Sequence, residues 1–379
     1  MKNLTTLIIG CFLSATLPLF SQAPWSVPHE ITDQVFAHPA ARLRDKPQLA
    51  TSPQGYTPTQ VRHAYGFDQV SGNGAGQTIA IIDAYGSATI QNDLNTFSSR
   101  FGLAQTQVKI YYPQGQPTKT DSGWALETSL DVEWAHAVAP GANIILVIAK
   151  TASTTNLLAA VDYAVALGAK QISMSWGGSE YRSQTLSDHH FNKAGVSFFA
   201  SAGDNGSGVL WPGSSPYVVS VGGTTLKLDA SGNVLSETGW SGSGGGISKY
   251  ESRPDYQLGW QTSLERAVPD VSYNADPSTG FPVFIGNYNK SAGWIAVGGT
   301  SAGAPQWAAL MALVNASRKT SLGNTNNDLY FEASAGYTLY FKDVTTGSNG
   351  KYNAGVKYDE VTGLGTPLSA NLVPVLSMK

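Results

Sequence analysis

The sequence predicts an α/β fold: a doubly wound, mostly parallel sheet built as a single large domain. Two observations carry this. Continuous apolar runs at residues 78–83, 143–149, 171–175, 196–200 and 217–221 suit strands buried on both faces. Between several of them lie stretches with helical patterning, at residues 88–101, 124–138 and 154–167. Strands alternating with helices build a doubly wound sheet, and active sites in such sheets lie beyond the carboxyl ends of the strands. The 379 residues suit one large α/β unit. No repeat of 20–50 residues is present, which excludes a solenoid or propeller.

The ends of the chain differ from this core. Lys2 is the only charge in the first 23 residues, residues 4–20 are mostly apolar, and Ser21-Gln22-Ala23 offers small residues where a signal peptidase cuts. Residues 1–23 therefore read as a signal peptide, implying secretion (extracellular or periplasmic) with no membrane attachment after cleavage. Cys11, the only cysteine, lies within it, so the mature chain has no disulfide, thiolate nucleophile or cysteine metal site. Ruggedness must come from core size or a bound ion. Residues 24–55, with five prolines, read as an extended leader, and 56–379 as the folded domain. The Gly- and Ser-rich residues 203–250 lie between apolar strands, which suits a cleft wall better than a linker.

Charged residues are only 13% of the chain, net charge is −3, and no basic run occurs. Nucleic acid and anionic membrane are thereby excluded as main partners. A surface with few carboxylates also loses less on acidification. The chain is expected to act as a monomer on protein or peptide substrates.

Gly298-Gly-Thr-Ser-Ala-Gly-Ala-Pro305 precedes a helical stretch at 306–317, which places Ser301 near a helix N-terminus. Thr300 or Ser301 could be an N-cap there. Gly298, Gly299 and Gly303, however, clear space around one hydroxyl, which a cap does not require. The Gly-Thr-Ser-x-x-x-Pro pattern is similar to the serine signature of subtilisin-like peptidases. A serine nucleophile needs a base, yet none of the six histidines stands in a His-Gly-x-His setting. Asp83 ends a first strand, as a subtilisin aspartate does.

Glu127 and Asp131 stand at i and i+4 in a helix otherwise made of Leu, Val, Trp and Ala. That spacing sets them roughly 40° apart on one face. A solvated acidic face is the plain alternative. A buried pair shares a proton, its ionisations split, and one member can act as base in acid. His136, nine residues from Glu127, points elsewhere on a straight helix and reads as structural.

Six segments in order are similar to the signatures of the sedolisin family: Glu127-x-x-x-Asp131, Ser173-Met-Ser-Trp-Gly177, Ser201-Ala-Gly-Asp204-x-Gly206, Val221-Gly-Gly-Thr224, Pro269-Asp-Val271 and Gly299-Thr-Ser301-x-x-x-Pro305. The resemblance covers residues 57–379. It implies a subtilisin-like fold and an acid-active endopeptidase of unfolded proteins. Ser301 would be the nucleophile, Glu127 the general base and acid, Asp131 its orienting partner, and Asp204 the oxyanion stabiliser. Asp204 also suits a plain turn before Asn-Gly. A carboxyl donates to an oxyanion only when protonated, so activity is expected to fall above roughly pH 5–6. Trp176 suits either the cleft border or the core.

Asp343-Val344, 354–359 and 362–367 form carbonyl-rich loops with two aspartates. The resemblance implies one structural Ca²⁺ held by Asp343, Asp359 and the carbonyls of Val344, Gly355 and Lys357. Lys357 stands where the family usually has glycine. Most sedolisins carry a long inhibitory pro-domain, whereas only residues 24–55 separate the expected signal from the domain here. The leader is expected either to be removed or to cover the cleft as a peptide. Two rival readings follow: a Ser-His-Asp peptidase using Asp83 and His136, and an inactive peptidase fold that binds peptides.

Overall fold

A computed structural model describes residues 36–43 and 49–379. The expected signal peptide, Cys11 and the first part of the leader lie outside the described residues.

The central sheet has eight strands. In spatial order they are Val234–Gly239, Val218–Leu228, Ser197–Ser201, Gln171–Met174, Thr78–Ala84, Asn143–Ala149 and Val108–Tyr111, with Val271–Asn274 also paired to Val218–Leu228. All pairs are parallel except that of Val234–Gly239, an antiparallel edge. Alternate side chains leave a strand on opposite faces. Ile79 and Ile81 thus join a core with the helices Ile90–Phe101, Ser122–Val138 and Gly303–Asn315, while Ala80 and Ile82 join a second core with Thr154–Ala166. Burial on both faces explains why these strands read as unbroken apolar runs. The expected doubly wound, subtilisin-like sheet is what forms.

Local chemistry sets the helix that carries the carboxylate pair. Asp121 caps Ser122–Val138 by accepting the N–H groups of Gly123 and Trp124 at 2.9 and 3.0 Å. The helix is buried from Leu126 to Val138, so the acidic-face alternative for Glu127 and Asp131 does not hold. The segment 203–250 is more structured than a cleft wall requires. It contains the strands Leu210–Trp211, Val218–Leu228, Val234–Gly239 and the start of Gly246–Ser252.

The Pro269-Asp-Val motif has a structural role. Arg266 and Asp270 are both fully buried, and the guanidinium forks onto the carboxylate at 3.0 and 2.6 Å. Ser220 N–H and Tyr330 Oη also donate to Asp270. Burial pushes the Arg266 guanidinium down, but the charge and hydrogen bonds of Asp270, together with Tyr256 and Tyr330, outweigh it and raise its pKa. Removing one partner of a buried pair strands the other charge. Asp270→Ala is therefore expected to lower unfolding stability by about 3–5 kcal/mol, measured by urea titration. A loss below about 1 kcal/mol, the value of a surface pair, would show the guanidinium is not desolvated.

Candidate active site

Glu127 and Asp131 are both fully buried, on one face of their helix beside the carboxyl end of Thr78–Ala84. Glu127 Oε2 accepts the Ala41 N–H at 2.8 Å. Asp131 Oδ1 accepts the Ser175 hydroxyl at 2.8 Å. Their other oxygens, Glu127 Oε1 and Asp131 Oδ2, are buried with no donor from a neighbouring group. One proton held between the two carboxyls supplies that donor. Burial, then the Asp83 charge, raises the Glu127 pKa well above its usual range. Burial, then the Glu127 and Asp83 charges, does the same for Asp131.

Asp83 is the member of this cluster that the resemblance did not supply. It ends its strand fully buried, and burial pushes it up to about 7. Among the described residues no ion pair involves Asp83, Glu127 or Asp131. Three carboxyls without a cation cannot all ionise. The cluster therefore stores protons at neutral pH and below. The clue in sequence was a carboxylate at a strand end, where α/β sites form.

Ser301 lies in a single turn, Thr300–Ala302, before Gly303–Asn315. Neither Thr300 nor Ser301 makes a side-chain capping bond, so the N-cap alternative fails. The Ser301 hydroxyl acts on Glu127, lowering its pKa against the effect of burial. The same Oγ lies 3.4 Å from the Ser175 carbonyl oxygen. Gly299 has φ +101°, and a Cβ there would overlap both the Ala40 carbonyl oxygen and Asp204 Oδ2. Only glycine meets both demands.

Asp204 follows the strand Ser197–Ser201, and its side chain is 1% exposed. Its Oδ1 accepts both the Thr300 N–H at 2.8 Å and the Thr300 hydroxyl at 2.7 Å. Its Oδ2 has no hydrogen-bond partner, and Arg42 Nε stands 3.7 Å away. Burial raises the carboxyl to about 7, against the Thr300 bonds and the Arg42 charge. With Oδ1 already accepting two donors, the proton belongs on Oδ2. That oxygen shares the space above Gly299 with the Ala40 carbonyl.

Residues 36–43 run through this cleft. His38–Pro39 pairs antiparallel with the strand Trp176–Ser179, His38 opposite Gly177 and Pro39 opposite Trp176. Phe36 bridges Ser153, and the Ala37 N–H bonds the Ala152 carbonyl at 2.9 Å. The Ala40 N–H reaches the Ser175 carbonyl at 3.3 Å. Beyond Ala41, Arg42–Leu43 pairs with the strand Ser291–Gly298. Trp176 is core and border at once: its indole donates to the Ile82 carbonyl at 2.9 Å, while its backbone forms the cleft edge.

Histidine takes no part in the cluster. His136 Nε2 lies 2.8 Å from the Ala104 carbonyl oxygen, and burial lowers its pKa. That geometry removes the Asp83–His136 rival.

Of the expected ion-binding residues, Asp343 and Asp359 both act on Tyr337. Asp343 accepts the Lys357 N–H through both oxygens at 3.1 and 3.0 Å, and Asp359 accepts the Gly355 N–H at 3.0 Å. Burial and the charges of both aspartates raise the Tyr337 phenol, which donates to Asp343. Lys357 has φ +66°, a left-handed geometry that explains why glycine suits this position.

Comparison with known proteins agrees with this geometry. The subtilase family matches residues 118–351. Kumamolisin of Bacillus sp. (strain MN-32) is 33% identical over 90% of this chain and 68% of its own. The chain belongs to the sedolisin family. Sedolisin of Pseudomonas sp. (strain 101) is 29% identical over 87% of this chain and 63% of its own. The solved Pseudomonas sedolisin, a serine-carboxyl proteinase complexed with two molecules of pseudo-iodotyrostatin, superposes with TM-score 0.76 at 30% identity, covering 86% of this chain and 99% of that one. A tripeptidyl-peptidase 1 of Dictyostelium discoideum is 29% identical over 87% of this chain. The chain thus spans about two thirds of the kumamolisin and sedolisin sequences. It is a serine-type peptidase of the serine-carboxyl class. No described helix of this sedolisin-family chain is long and apolar enough to cross a membrane.

Proposed function

We propose that this protein is a secreted, acid-active endopeptidase that cleaves unfolded proteins through an acyl-enzyme on Ser301. The observation that carries it is the contact set around one peptide bond: Ala41 N–H on Glu127, Ala40 carbonyl above Gly299, and Asp204 Oδ2 beside it. Glu127 takes the Ser301 proton as the hydroxyl attacks the carbonyl carbon. Asp131 holds Glu127 in place, with Ser175 fixing Asp131 in turn. Protonated Asp204 donates to the oxyanion. Glu127 then returns the proton to the leaving amine, and water hydrolyses the ester by the same route. Secretion rests on the sequence of residues 1–23.

Endopeptidase action, rather than removal of tripeptides, is favoured by the path of the leader. Backbone contacts continue to Ala37 and Phe36, past the third residue on the acyl side. A site that releases tripeptides must be closed there. An unfolded protein substrate assayed from pH 3 to 8 should yield internal fragments, with activity greatest in acid. Tripeptides alone, or a maximum near neutrality, would overturn this reading. No turnover at any pH would favour the inactive peptide-binding fold.

A Ca²⁺ ion fits the C-terminal loops, where two carboxylates converge on Tyr337 with no ion-pair partner among the described residues. Asp343, Asp359 and the carbonyls of Val344, Gly355 and Lys357 would hold it. Its contribution would be to tie loops that no disulfide joins. At a free ion concentration of 100 times Kd, binding stabilises by about 2.7 kcal/mol. EDTA is therefore expected to lower Tm by several degrees, restored by Ca²⁺ but not by Na⁺. An unchanged Tm removes the ion from this account.

A further inference from the structure

We propose that Leu210 sets the cleavage preference of this enzyme by closing the floor under the acyl-side residue, so that only small side chains, of the size of alanine or serine, are accepted there. The inference rests on the peptidase reading above and adds a specificity residue that the reading leaves unassigned.

His38–Pro39, Trp176–Ser179 and Leu210–Trp211 form one three-stranded antiparallel sheet, with Trp176–Ser179 in the middle. A peptide in the cleft therefore lies along one edge of the middle strand, and Leu210 along the other. Residues directly opposite each other share a face of the sheet, and alternate residues of a strand return to it. His38 is opposite Gly177, and Leu210 is opposite Ser179. These four thus share one face. Ala40, two residues beyond His38 and bonded through its N–H to the Ser175 carbonyl, continues on that face. Trp176 takes the other face, into the core.

Gly177 offers no side chain, so the floor is whatever crosses from the next strand. Leu210 crosses it. A Cβ on Gly177 would lie 3.0 Å from Leu210 Cβ and 3.1 Å from its Cδ1. A Cβ on Gly203, the residue before Asp204, would lie 2.7 Å from the same Cδ1. One isobutyl group therefore spans the gap between the two walls. Neither wall can recede. The Gly203 carbonyl accepts the Gly244 N–H at 2.7 Å, and a Cβ on Gly244 would overlap the Ala202 carbonyl oxygen. Trp211, next to Leu210, is buried against the rings of Tyr181 and Phe191. Ala40 fills what remains, and is 7% exposed.

Space resumes behind the leucine. A cavity of about 390 Å³ has Ser179, Glu180, Leu210, Lys249, Lys351 and Tyr352 in its walls, but neither Gly177 nor Gly203. Removing the Leu210 side chain would join that cavity to the acyl-side pocket. With leucine present, a ring in place of the alanine methyl must push against two fixed backbones, which overpacks the site.

Peptides that differ only at the acyl-side residue (alanine, leucine or phenylalanine) test this at pH 4, with product masses fixing the bond cut. Wild-type kcat/KM is expected to be at least about 10-fold higher for alanine than for phenylalanine, since single methylenes already discriminate about 10–200-fold in such pockets. Leu210→Gly should raise the phenylalanine-to-alanine ratio by about 10-fold or more. Leu210→Ala should move the ratio in the same direction by less, and serves if the glycine variant does not fold. A merely structural leucine would lower all three peptides alike and leave the ratio in place, which would overturn the proposal. So would wild-type protein that cuts after phenylalanine as readily as after alanine, an outcome that leaves the peptidase reading standing. Wild-type protein inactive on every peptide and on unfolded protein would remove that reading, and this inference with it.

Discussion

Replacing Ser301 with alanine is expected to lower kcat/KM on an unfolded protein by on the order of 10⁵–10⁶-fold, with the fold unchanged. The hydroxyl makes no capping bond whose loss would weaken Gly303–Asn315. A stability change of about 1 kcal/mol or less, the worth of one hydrogen bond, is therefore expected, and the kinetic loss reports chemistry. Glu127→Gln separates position from proton transfer. Glutamine can still accept the Ala41 N–H, but it cannot take the Ser301 proton, so a loss on the order of 10²–10⁴-fold is expected. It also removes one member of a crowded carboxyl cluster, so at neutral pH the variant should unfold at equal or higher urea. His136→Ala should leave kcat within a few-fold, since its ring lies against the Ala104 carbonyl. Full activity in Glu127→Gln combined with loss in His136→Ala would sink the carboxylate mechanism.

Much of this was legible because the fold imposes simple patterns. Strands buried on both faces must be apolar throughout, and the 78–84 and 143–149 runs are. Glycines that cannot accept a Cβ stand out as motifs. Gly222 and Gly223 pack on Pro269 and Ala275, and Gly299 lies under Ala40. What was hidden depends on tertiary placement. Ser175 bonds Asp131 from a different segment, and Thr300 bonds Asp204 across 96 residues of chain. Neither leaves a trace in local spacing. The leader was the least legible part. His38 to Leu43 has no strand periodicity, because its pairing partners are cleft edges, which fix backbone rather than side-chain pattern.

The oxyanion group yields the second large effect. Asp204→Ala removes a donor and is expected to cost about 10²–10³-fold in kcat. Asp204→Asn is more informative, because an amide donates at every pH. The wild-type carboxyl, raised to about 7 by burial, keeps its proton below that pH and loses it above. The alkaline limb of the pH–rate profile should therefore lie nearer 7 than the roughly 5–6 expected from sequence. In Asp204→Asn that limb should move upward. Stability follows the same proton. An unfolded aspartate has a pKa near about 3.9, so between that value and about 7 the folded state binds a proton that the unfolded chain does not. The resulting stability is fully present below about pH 4 and lost as pH rises through about 7. Asp83, likewise raised to about 7, contributes in the same direction, as do Glu127 and Asp131. Wild-type Tm should thus be higher at pH 4 than at pH 8, with a smaller difference in Asp204→Asn. An alkaline limb that stays in place would assign it to the Glu127–Asp131 pair, and equal Tm values at the two pH values would mean the buried carboxyls are not holding their protons.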